Sequence, residues 1–125
     1  MDSSRSVKDN WNDTKSFVNK ISRSLNISVN GSHVAVTVFS NLAHLKVAFS
    51  EYYTYFDQSP QVDSFKEAVD TLSFLDGNTR IHNGLEVAYE RMFQKANGMR
   101  SSAPKFLVLI TDGQEDADNL SLIHI

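Results

Sequence analysis

Phe106-Leu107-Val108-Leu109-Ile110-Thr111-Asp112-Gly113 reads as a buried strand that ends on a carboxylate. Five apolar residues in succession, entered through Pro104 and Lys105 and left through a polar turn, suit a strand covered on both faces. Gly113 lets the backbone turn away sharply, which presents Asp112 at the rim of a sheet. Upstream, Leu85, Ala88, Tyr89, Met92, Phe93 and Ala96 form an apolar helical stripe that Asn97-Gly98 stops. Phe65, Ala68, Val69, Leu72 and Leu75 form another, with Asp63 or Ser64 as its N-cap, and Pro60 ends an aromatic segment before it. Nearer the N-terminus, the β-branched run His33-Val34-Ala35-Val36-Thr37-Val38-Phe39 follows an Asn30-Gly31 turn and reads as a buried strand. Leu45-Lys46-Val47-Ala48-Phe49 alternates, with Lys46 outward, as a hairpin partner and edge strand. Trp11, Phe17, Val18, Ile21 and Leu25 mark the first helix. Helices alternating with buried strands predict an α/β fold: a doubly wound, mostly parallel sheet with one antiparallel edge strand and helices on both faces.

Composition sets the background. The 125 residues are one domain's worth of chain, and 41% hydrophobic content is ordinary for a globular core. No apolar run approaches the ~20 residues that cross a bilayer, and no basic segment followed by an apolar one opens the chain. A net charge of −3 with scattered basic residues argues against a nucleic-acid surface and against membrane electrostatics. The absence of cysteine excludes disulfides, thiolate metal sites and cysteine nucleophiles. Four sequons start at Asn12, Asn26, Asn30 and Asn119, against roughly two expected by chance, so they favour a secreted glycoprotein only slightly.

Three polar stretches carry the chemistry: Asp2-Ser3-Ser4-Arg5-Ser6, Gly77-Asn78-Thr79 and Thr111-Asp112-Gly113. In open α/β sheets, ligands bind beyond the carboxyl ends of the strands, where Asp112 stands. If extended, the first stretch points Asp2, Ser4 and Ser6 the same way, and Thr79 adds a hydroxyl from the loop entering the third helix. Two carboxylates and three hydroxyls are the hard oxygen donors that suit Mg²⁺ or Mn²⁺. Each part alone has a plainer meaning: a strand-end turn, a helix-start hydroxyl, a loose terminus. His33, His44, His82 and His124 show no ligand spacing, and the acidic cluster Glu115, Asp116 and Asp118 reads as a solvated loop.

In order and spacing, Asp2-x-Ser4-x-Ser6, Thr79 after Gly77-Asn78, and Asp112 in Ile110-Thr111-Asp112-Gly113 resemble the metal-ion-dependent adhesion site of von Willebrand factor type A domains. The resemblance runs from Asp2 to about Gly113. It implies that Ser4, Ser6 and Thr79 are hydroxyl ligands, with Asp2 and Asp112 acting directly or through water. It further implies Mg²⁺, for which Mn²⁺ or Ca²⁺ could substitute, and an acidic side chain of a protein partner completing the coordination. In such domains an apolar strand ends at the first Asp, lying between the strand at 33–39 and that at 106–110; here Met1 alone represents it. Further helix and strand units follow the last Asp, which residues 119–125 do not resemble. The expectation is thus a partial domain over residues 1–118, a tail of no assigned role, and marginal stability, because unpaired ladder groups each forfeit ~1 kcal/mol.

The expected function is a non-catalytic, divalent-metal-dependent adhesion module of a larger extracellular matrix or cell-surface protein, with no nucleic-acid partner and no membrane insertion. The alternative is a structural or assembly module whose metal does not bridge a ligand. A metal-dependent hydrolase ranks last, since no His or Glu is evidently placed as a general base.

Overall fold

The computed structural model describes residues 1–28, 30–51 and 62–112. A 3-10 turn, Arg5–Asn10, runs into helix α1 (Trp11–Arg23). Strands β1 (Val36–Phe39) and β2 (Ala43–Val47) form an antiparallel hairpin, followed by helices α2 (Val62–Asp70) and α3 (Ile81–Val87). The aromatic segment before Pro60, Gly113, the acidic cluster and the tail at 119–125 lie outside the described residues.

All four residues of β1 are buried because both faces of the strand are covered. Val36 and Val38 join Val18 of α1 and Phe65 and Val69 of α2 in one apolar cluster. Thr37 and Phe39, on the alternate face, meet α3 and the π turn that continues it, Ala88–Met92. The Thr37 hydroxyl reaches the Met92 sulfur at 3.4 Å. Helices on both faces of a central strand bear out the α/β reading. Trp11 packs edge-on against Phe74, and Asp70 of α2 ties the helix to α1 by accepting from Asn19 Nδ2 at 2.9 Å, while Lys66 Nζ, one turn earlier in α2, reaches its other oxygen at 2.6 Å. The Lys66 hydrogen bond, first among several contacts, lowers the Asp70 pKa.

Five expectations need correction. Among the described residues the sheet has two strands, both antiparallel, and parallel pairing is confined to isolated bridges such as Asp2 with Phe39. Residues 106–110 form no strand: Phe106 is 84% exposed, and only Ile110 packs on the core. The reason is pairing. Residues 1–3 lie between β1 and Ile110, with Phe39 N–H donating to Met1 O, Ser3 N–H to Phe39 O, and Asp2 N–H to Ile110 O at 2.8 Å. Before Ile110 the run borders an open cleft of about 680 Å³ whose other wall includes His33, Val34 and Val36. Phe17 and Tyr89, assigned to core stripes, are exposed, since each sits one residue, or about 100° of helix, away from a buried neighbour, Val18 and Ala88. Helix α2 begins at Val62, so Asp63 and Ser64 fall within its first turn rather than capping it. The third helix and its π continuation end at Met92, before the predicted stop at Asn97-Gly98; Phe93 leaves the helical region, and Gly98, at φ +92°, instead closes a separate 3-10 turn, Lys95–Asn97.

One outcome follows from this packing. A Cβ on Gly84 would stand 2.6 Å from the ring of the buried Phe39. Replacing a helical glycine by alanine usually stabilises by about 1 kcal/mol, but Gly84→Ala is expected to destabilise by about 1–3 kcal/mol, seen as a lower urea midpoint at unchanged slope.

Candidate metal centre

The loops carrying the three polar stretches converge beside the end of β1, and hydrogen bonds between distant segments set their geometry. Ser3, an odd position not singled out as a candidate, faces away from the hydroxyl cluster and accepts the Leu75 N–H on its Oγ at 2.7 Å. Arg5 N–H donates to Gly77 O at 2.8 Å. Asp76 and Gly77 both have positive φ, 63° and 94°, and this left-handed pair turns the loop so that Thr79 reaches back to Ser4. Asn41, in the β hairpin turn, accepts Asn78 N–H at 2.7 Å on its side chain and Asn83 Nδ2 at 2.6 Å on its carbonyl. The loop before α3 is thus held from both sides.

Ser4, Ser6 and Thr79 come together as expected, but by a different route. Ser4 is extended, whereas Ser6 lies in the 3-10 turn that starts at Arg5. The turn, rather than strand alternation, brings the Ser6 hydroxyl back to Ser4. The Oγ atoms of Ser4 and Ser6 are 3.1 Å apart, Thr79 Oγ1 donates to Ser4 Oγ at 2.7 Å, and Ser6 Oγ lies 3.4 Å from Thr79 Oγ1. Ser4 and Thr79 are buried, so these mutual bonds satisfy hydroxyls that water does not reach.

Asp2 is 1% exposed. Its Oδ1 accepts Ser4 N–H at 2.9 Å and its Oδ2 accepts the Thr111 hydroxyl at 2.6 Å. Asp112, next in the chain, is exposed. Thr111, Ser3 and Asn41 are the contributors that sequence reasoning did not assign. For Ser3 the alternation of a short extended segment was the available signal; the pairings of Thr111 and Asn41 are non-local and leave none. At the outer edge Arg5 Nε meets Asp76 Oδ1 at 3.0 Å, both side chains well exposed. This hydrogen bond raises the Arg5 pKa and is the first cause of the lowered Asp76 pKa, to which the Gly77 N–H adds.

The donor set can be tested against an ion. Adjacent oxygens around an octahedral Mg²⁺, each ~2.1 Å from it, lie about 3.0 Å apart. The hydroxyl triangle, with sides of 2.7, 3.1 and 3.4 Å, has the dimensions of one face of that octahedron. The residues present fit such a cation.

Comparison with known proteins gives a consistent relationship. The model of the von Willebrand factor type A domain matches residues 1–124. Human integrin alpha-D is 38% identical over 86 residues, 69% of this chain and 7% of that protein. Chicken matrilin-1 is 26% identical over 115 residues, 91% of this chain and 22% of that one. The chain therefore spans less than a quarter of each of these two relatives. Proximal thread matrix protein 1 of the mussel byssus, solved with a zinc-occupied MIDAS motif, superposes with a TM-score of 0.81 at 25% identity, over 94% of this chain and 30% of that one.

Proposed function

Because the chain belongs to the von Willebrand factor type A family, we propose that Ser4, Ser6, Thr79, Asp2 and Asp112 hold a divalent cation through which the domain binds an acidic group on a protein partner. The hydroxyl triangle is the observation that supports this reading most: three oxygens from two distant loops sit at octahedral edge lengths. A bound cation of this kind supplies a Lewis-acidic point at which an outside carboxylate can be received. The residues of the chain do the rest. Ser4, Ser6 and Thr79 would offer neutral oxygens, which leave compensation of the ion's charge to Asp2 and Asp112. Asp2, held by Ser4 N–H and Thr111, would supply negative charge next to Ser4. Asp112 stands at the exposed side, where an incoming acidic partner would be repelled unless the cation lay between them.

Mg²⁺ is the metal we assign, from the all-oxygen donors and the short oxygen spacings; Mn²⁺ has the same preferences, and Ca²⁺ prefers longer bonds and more ligands. The kinship with integrins, matrilin and a byssus matrix protein supports a non-catalytic adhesion module in an extracellular matrix or cell-surface protein, covering residues 1–118 as a partial domain. A structural role, with the ion not bridging a ligand, is the second reading. It is favoured by the fact that the three hydroxyls already satisfy one another and hold the rim together.

Calorimetric titration of MgCl₂ and MnCl₂ into the chain tests the site. One-site binding is expected, weakened at least tenfold, the scale of a lost ligand or supporting contact, in Asp112→Ala. Absence of binding by a folded sample would remove the metal reading. Water-proton relaxation by Mn²⁺ bound at the site separates the two roles: a decrease on adding acetate supports an open position for a carboxylate, and no response supports the structural role.

A further inference from the structure

Asp2 is gripped at three points, and two of them come from one distant dipeptide. Its backbone N–H donates to Ile110 O at 2.8 Å, and its Oδ2 accepts the Thr111 hydroxyl at 2.6 Å. Ser4 N–H holds the other oxygen at 2.9 Å. One bond to each oxygen fixes the carboxylate plane as well as its position, because rotation about Cβ–Cγ would break both at once. The hydroxyl of Thr111 has one proton, and Asp2 takes it. The next residue after Thr111 is Asp112, so the segment that clamps one candidate carboxylate also carries the other.

We propose that Thr111 is a positioning residue of the metal centre: its hydroxyl fixes the orientation of the Asp2 carboxylate beside Ser4 and ties that carboxylate to the segment carrying Asp112, the other acidic residue that would hold the ion. This rests on the metal-site reading above. Supporting side chains that orient the groups around an ion typically change metal affinity 10–100-fold when removed. A Thr111 that merely satisfied a buried acceptor would instead alter stability with and without metal alike, leaving affinity where it was.

The test is calorimetric titration of MgCl₂ into the wild-type chain, Thr111→Ser and Thr111→Val, with thermal midpoints in EDTA alongside. Valine keeps the shape of threonine and loses the donor; serine keeps the donor and loses the methyl group. The expected result is a 10–100-fold weaker Kd for Thr111→Val, with Thr111→Ser within about threefold of wild type. If Thr111→Val fails to fold in EDTA, Thr111→Ala, which adds no bulk, carries the same expectation. A folded Val or Ala variant binding Mg²⁺ as tightly as wild type would overturn the proposal, as would a Thr111→Ser variant as weak as Thr111→Val. Failure of the wild-type chain itself to bind Mg²⁺ would strike at the metal reading instead, so the two failures are distinguishable.

Discussion

A carboxylate taken out of water must be met by donors, and the first acidic residue of this chain is where that requirement organises the molecule. Asp2 is almost wholly buried, with Ser4 N–H on one oxygen and the Thr111 hydroxyl on the other. Its own backbone reaches Ile110, while its neighbours on either side bond Phe39. A residue at the start of the chain thus joins the end of β1 to a segment 109 residues away. Leaving either oxygen of such a group without a partner would cost about 1–3 kcal/mol or more, so hydrogen bonding at Asp2 fixes the mutual register of three segments that Met1 and Ile110 also join to the apolar core.

The rest of the rim is built on that junction. Ser3 and Ser4 point to opposite sides of a short extended stretch, Ser3 to the backbone of Leu75 and Ser4 to Thr79. The left-handed pair at Asp76 and Gly77 makes the second contact geometrically available. The absence of a side chain at Gly84 lets α3 approach the Phe39 ring closely enough to bring the loop before it over the end of β1. Packing underneath and hydrogen bonding above therefore act on the same few residues.

The three hydroxyls of this site satisfy one another and have the spacing that suits a small cation. Mutual hydrogen bonds keep Ser4, Ser6 and Thr79 within 3.4 Å of one another, close to the edge lengths of one face of an octahedron. A cation held partly through neutral hydroxyls would be electrophilic toward a carboxylate from outside. This is the physical basis on which one geometry admits both an adhesive and a structural reading, with the openness of the last coordination position deciding between them.

The alternation of helical stripes and β-branched runs was enough to read an α/β fold with helices on both faces, because burial on two sides leaves its mark in runs with few polar residues such as Val36-Thr37-Val38-Phe39. The hairpin and the meeting of Ser4, Ser6 and Thr79 were legible too, since each depends on local spacing or on a motif whose parts are few. Residues 106–110 show where the reading ran out. An apolar run reports what a segment is able to bury, while pairing partners decide whether it becomes a strand, and here only Ile110 is reached by residues 1–3. Phe17 and Tyr89 are exposed for a related reason, that a stripe read from composition is wider than the face a neighbour covers. The clamp of Thr111 on Asp2 and the brace of Asn41 were decided by tertiary structure alone, because hydrogen bonds between residues tens of positions apart have no periodicity to read. The sequence by itself determined which side chains can be buried and which oxygens are available; the fold decided which of them meet, since that depends on distances the chain acquires only when its loops close.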